Sequence, residues 1–112
     1  MDVKSLKDQT GSFAKAYKII PDNLYSDFFK AIAELEDNEC HRSRSFPHTR
    51  VHKISGTPKG MDVYRAYINK ISGYRIHFKY GEGGFIELCD ILAKEEHDEA
   101  SEVVKKRKGR YK

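Results

Sequence analysis

An α+β fold is predicted for this chain, with an N-terminal helical hairpin on one face of a small antiparallel sheet of three to four strands and a short C-terminal helix. Three observations predict it. Between Asp62 and Leu92 apolar and polar residues alternate with a period of two, and between Ser12 and Asn38 apolar residues recur every three to four. These are the periods of a strand and of a helix. The third observation is charge: residues 41–79 carry nine basic side chains and one acidic, so the strands lie in the most one-sidedly basic part of the folded chain.

Taken in order, Val3–Lys7 (VKSLK) shows the brief alternation of a short strand. Thr10 and Ser12 are N-cap residue types ahead of a helix over Ser12–Ile20, in which Phe13, Ala16, Tyr17 and Ile20 share one face. Pro21 ends it. Asp22 or Asn23 caps a second helix, Asn23–Asn38, whose Leu24, Phe28, Ala31, Ile32 and Leu35 form a stripe opposite Asp27, Lys30, Glu34 and Asp37. Neither helix is long enough to be stable alone, so both stripes need an apolar sheet face. Cys40–His48 (CHRSRSFPH) reads as a polar loop, Arg50–Ile54 as a short strand or an extended entry, and Ser55–Gly60 (SGTPKG) as a turn.

Three strands follow, Val63–Asn69, Tyr74–Tyr80 and Phe85–Leu92, joined by turns at Ile71–Gly73 and Gly81–Gly84. In the middle strand Tyr74, Ile76, Phe78 and Tyr80 face one way and Arg75, His77 and Lys79 the other. A register that buries Tyr64, Ala66 and Ile68 brings Arg65 and Tyr67 to the side of Arg75 and His77. One face is then apolar and the other cationic. Tyr67 is the one aromatic on the basic face and suits stacking on a base. Ala93–Glu99 reads as a loop holding a lone His97, Asp98–Lys106 as a short helix, and residues 108–112 as a basic tail after a single domain over 1–107.

A chain of 112 residues supports one domain. No apolar run approaches the roughly 18 residues of a membrane span, and MDVKSLKDQT lacks the apolar stretch of a signal peptide, so no membrane contact and a cytoplasmic location are expected. Cys40 and Cys89 are expected to be free thiols. A metal set drawn from Cys40, His41, His48, His52 and Cys89 is disfavoured because Cys40 and His41 are too close for paired-ligand geometry, and no cofactor is expected. Four of the five histidines fall in the basic block, whose positive charge should grow as pH falls. A cationic sheet face points to a polyanionic partner, most economically nucleic acid.

The order of elements, with FAKAYKIIPDNLYSDFFKAIAEL, HKISGTPKG, VYRAYINKISGYRIHFKY and LAKEEHDEASEVVKKRK, resembles the RelE/ParE superfamily of toxins over roughly Val3 to Arg107. Its most specific part is VYRAYI followed by GYRIHF. The resemblance implies a curved antiparallel sheet with a helical hairpin on one face and a cleft on the other. For the RelE branch it implies an endoribonuclease that cleaves mRNA at the ribosome by metal-independent attack of a ribose 2′-hydroxyl, partnered by an antitoxin on a separate chain. Arg75 matches the GYR arginine and, with Arg65, would hold the scissile phosphate. His97 would act as acid or base. Arg50, Lys53, Tyr67, His77, Lys79 and Lys94 would contact the flanking RNA. Glu95 and Ser101 stand where relatives of this type carry basic or tyrosine side chains, and the next tyrosine is Tyr111. Two other readings remain open: a non-catalytic module of the same fold, poisoning gyrase or only binding an antitoxin, and a general basic RNA-binding domain.

Overall fold

The two periodicities resolve into elements in the order β1 (Leu6–Lys7), α1 (Ser12–Ile19), a 3₁₀ turn (Asp22–Leu24), α2 (Tyr25–Leu35), α3 (Asn38–Ser43), β2 (His52–Lys53), β3 (Tyr64–Tyr67), β4 (Arg75–Tyr80), a 3₁₀ turn (Glu82–Gly84), β5 (Ile86–Leu92), α4 (Ala100–Lys106) and α5 (Lys108–Tyr111). The computed structural model describes residues 6–93 and 100–111. The class is α+β. The sheet, however, has five strands in the order β1-β5-β4-β3-β2 and is mixed, not three- or four-stranded and antiparallel. β2 to β5 form an antiparallel meander, and β1 pairs in parallel with β5 through Leu6↔Ile86 and Lys7↔Glu87. The helical hairpin is the crossover that makes this possible, since it carries the chain from one edge of the sheet to the other. Leu6–Lys7 is the described part of the short strand expected over Val3–Lys7, and what its brief alternation does not announce is the parallel pairing with β5.

The helix ends differ from the expected caps. α1 starts after Gly11, which is left-handed at φ 74°, and the Asp8 carboxylate accepts the N–H groups of Ser12 and Phe13 at 2.7 and 3.0 Å. Thr10 instead donates to the Leu88 carbonyl at 3.2 Å and ties the start of α1 to β5. Where a polar loop was expected from Cys40, Asp37 caps α3 by accepting the Glu39 N–H at 2.9 Å.

The hairpin lays Ala16, Ile20, Phe28, Ala31 and Leu35 on Ala66, Ile68, Ile76 and Phe78, and Phe13 meets Phe28 edge-on at 5.5 Å. Phe28 is fully buried, worth roughly 1.5–3 kcal/mol by area transfer. On the opposite face a second cluster joins Ile54, Val63 and Cys89 to Val104 and Tyr111 of the C-terminal helices. The sheet is therefore covered on one face by α1 and α2 and at one end of the other face by α4 and α5.

Candidate nucleic-acid interface

The β3–β4 register pairs Arg65 with His77 and Tyr67 with Arg75, so these four side chains do share the face away from the hairpin. β2 extends the row, pairing His52 with Arg65. On β5 a bulge places one extra residue opposite the His77–Phe78 step, so that His77 faces Asp90 while Phe78 faces Leu88. The bulge brings a carboxylate under the basic row.

The half of this face around β4 and β5 is not wet. Arg75, His77 and Asp90 are fully buried. The expectation that Arg75 and His77 form an open cationic surface is therefore corrected: period two sorts side chains between faces but does not say what covers them, and Tyr111 of the C-terminal helices lies on His77. His77 Nδ1 is hydrogen-bonded to the Tyr111 hydroxyl at 2.8 Å, and Lys79 Nζ donates to the Tyr111 carbonyl at 3.1 Å. Arg75 donates to the Gly73 carbonyl at 2.8 Å. Asp90 anchors the cover, with Lys15 and Arg107 each donating to it at 2.7 Å and Arg110 ion-paired at 3.1 Å.

Burial sets the protonation of this half. It pushes the His77 imidazole down to about 3, helped by the Arg75 guanidinium, so this histidine stays neutral and adds no positive charge on mild acidification. Burial pushes the Asp90 carboxyl up, but hydrogen bonds from Lys15 and Arg107 and the charges of Lys15 and Arg110 outweigh it, and the net shift is downward. Burial holds the Tyr111 phenol well above its ordinary range and pushes the Cys89 thiol up to about 12, which makes that cysteine inert. Cys40 and Cys89 are both free thiols.

The other half of the face, at β2 and β3, is open. His52 is exposed, and Arg65 and Tyr67 are half-buried. Arg65 donates through a terminal guanidinium nitrogen to His52 Nε2, and His52 Nδ1 lies 3.1 Å from the Arg50 carbonyl. A carbonyl only accepts, so Nδ1 carries the proton and Nε2 offers its lone pair to Arg65. Arg65 also sits over the Tyr67 ring, 5.4 Å from its centre. An acceptor nitrogen, a guanidinium and an aromatic face thus occupy neighbouring positions on two strands.

The remaining expected contacts scatter. Lys53 is exposed and ion-paired with Asp62 at 3.2 Å, on the hairpin side of the sheet by its pairing with Tyr64. Lys79 is half-buried against Tyr111, and Arg50 is exposed in the loop before β2. His97 and Lys94, like Glu95, lie outside the described residues. Two residues were not anticipated in this region. His52 needed the β2–β3 register, which a short alternation over residues 50–54 only hints at. Tyr111 is the single apolar residue of a tail that its composition marks as solvated, although its spacing of seven from Val104 follows a helical face.

No family model, curated protein or solved structure matches this chain. Among the described residues no helix is long and apolar enough to cross a membrane.

Proposed function

We propose that the protein is an RNA-directed toxin of the RelE/ParE type, an endoribonuclease acting on ribosome-bound mRNA and held in check by an antitoxin on a separate chain. The observation that carries this reading is the His52–Arg65–Tyr67 row on the open half of the sheet face. On binding RNA, the Arg65 guanidinium turns from His52 to two oxygens of the scissile phosphate. His52 Nε2, relieved of that bond, takes the proton of the ribose 2′-hydroxyl. The 2′-oxygen attacks phosphorus, the bond to the 5′-oxygen breaks, and that oxygen is protonated by the acid that the resemblance places at His97. The products are a 2′,3′-cyclic phosphate and a free 5′-hydroxyl. Tyr67 stacks on an adjoining base.

Induced expression of the wild-type chain should arrest growth and cleave transcripts. Arg65→Ala should lower the cleavage rate by about 100-fold, the scale for losing one preorganised charge donor at a developing anion. Equal harmlessness of wild type and variant would sink the catalytic reading. A second reading, a non-catalytic module of the same fold, is favoured by the complete burial of Arg75 and of His77, the latter bonded to Tyr111. Stable capture of the antitoxin with no transcript cleavage selects it.

A further inference from the structure

One ring nitrogen of His52 meets Arg65, and the other meets the carbonyl of Arg50, two residues earlier in the chain, at 3.1 Å. That carbonyl belongs to a turn with an uncommon backbone. Arg44 and Arg50 are the only non-glycine residues with positive φ among the described residues, at 58° and 50°. For Arg44 the cause is local, since it ends α3. No helix ends at Arg50. It closes a turn by donating its N–H to the Phe46 carbonyl at 2.9 Å, and its left-handed backbone then directs the chain into β2.

The turn is held on every side that the structure describes. Arg50 Nε donates to the Pro47 carbonyl at 3.2 Å, so the guanidinium clasps its own turn. From α2 the Glu34 carboxylate accepts the N–H groups of His48 and Thr49, each at 3.1 Å. From β3 the Tyr67 N–H donates to the Thr49 carbonyl at 2.7 Å. Rotation about φ of a residue swings its own carbonyl, so with the preceding residues fixed, the left-handed φ of Arg50 decides that its carbonyl reaches Nδ1.

We infer that Arg50 is a positioning residue for His52: its left-handed turn aims a carbonyl that keeps the proton on Nδ1 and leaves Nε2 to act as the base. The inference rests on the endoribonuclease reading of the open row. Before RNA binds, Arg65 favours the same tautomer, because a guanidinium can only donate to Nε2. Once Arg65 turns to the phosphate that support is gone, and the Arg50 carbonyl is the contact that still selects the tautomer. After Nε2 has taken the proton of the 2′-hydroxyl, the same carbonyl accepts from the imidazolium, so the ring keeps its orientation through the step.

Arg50→Gly and Arg50→Val test this as a pair. Both remove the guanidinium and its clasp, but glycine adopts positive φ readily and a β-branched residue does not. The difference between them therefore reports the backbone and not the charge. In an Arg65→Ala background, which removes the other support, NMR of isotope-labelled imidazole nitrogens shows which one carries the proton when histidine is neutral. His52 should hold it on Nδ1 with Arg50 or Gly at position 50, and should gain a substantial Nε2–H population with Val. With Arg65 present and RNA saturating, Arg50→Val should cleave about 10-fold more slowly than Arg50→Gly, with KM differing less than about 2-fold; a general base contributes roughly 10²–10⁴. The same tautomer and the same rate in both variants overturn the positioning role and leave the cleavage reading standing. Should Arg50→Val fail to fold, Arg65→Ala alone still decides: a proton on Nε2 there overturns the inference. A wild type that cleaves no RNA, whatever its tautomer, overturns the cleavage reading and the role of Arg50 in it.

Discussion

The two halves of the sheet face away from the hairpin are built from the same kinds of side chain and have opposite fates. Around β4, an arginine and a histidine are fully buried, and the histidine is fixed to Tyr111 and kept neutral. Around β2 and β3, an arginine and a histidine touch each other in the open, beside an aromatic ring. What separates the halves is the cover. The C-terminal helices reach Asp90, and where their cations and Tyr111 land, basic residues become part of the interior. The buried half holds the structure together, and the open half is the part on which the proposed RNA reading rests.

The largest effect should come from removing the charge on which the cover is anchored. Asp90 is completely buried, while Lys15, Arg107 and Arg110, its three cations, each keep about a third of their side chains exposed. Those cations can turn to water when the carboxylate is lost, so the cost falls below the 3–5 kcal/mol typical of breaking a wholly buried pair. Asp90→Asn is expected to cost about 2–3 kcal/mol in urea denaturation and to release α5, seen as faster amide exchange over residues 100–111. A loss under about 0.5 kcal/mol would mean that the cover does not depend on this contact.

A pH titration of stability separates the halves next. The folded His77 imidazole titrates near 3 and the unfolded one near its ordinary 6.5, so between these values the unfolded chain binds one more proton. Stability from this group is complete above about 6.5 and is lost as pH falls toward 3. Asp90 is shifted downward as well, but from a lower starting point, so its contribution is complete above the ordinary carboxylate range and is lost only as pH falls below it. Between pH 7 and 4.5 the wild type should therefore lose about 2 kcal/mol through His77. His77→Gln should flatten most of that slope, whereas His52→Gln, on the open half, should leave it in place. A slope unchanged by the His77 substitution would show that the buried histidine is not the group that titrates.

Much of this contrast can be read from the chain, up to the point where covering elements matter. Alternation from Tyr64 to Tyr80 makes the β3–β4 register legible, because a slip by one residue would bury Arg65 and expose Ala66. It cannot say which half of the basic face stays open, because that depends on where a segment some thirty residues later comes to rest. KKRKGRYK reads as solvated by charge density, yet its one tyrosine is buried and its arginines neutralise a carboxylate that only the β5 bulge brings into place. The bulge leaves no mark in the hydrophobic pattern. His52 was hidden for a related reason: it sits thirteen residues before Arg65, across the SGTPKG turn, and becomes a neighbour only once β2 pairs with β3.

The smallest expected effect asks whether the halves are independent. Tyr111→Phe keeps the ring that packs among Val63, Cys89 and Val104 but removes the hydroxyl bonded to His77 Nδ1. His77 Nε2 already has no hydrogen-bond partner among the described residues, so the variant leaves this imidazole with neither nitrogen paired in that set. An unpaired buried polar group costs about 1–3 kcal/mol, and water entering beside the new gap should hold the loss near 1. RNA affinity of the open half should not change, since Arg65, His52 and Tyr67 make no bond to Tyr111. A parallel loss of stability and RNA affinity would show instead that the cover positions the open row through the Arg65–His77 strand pair, and the face would have to be treated as one site.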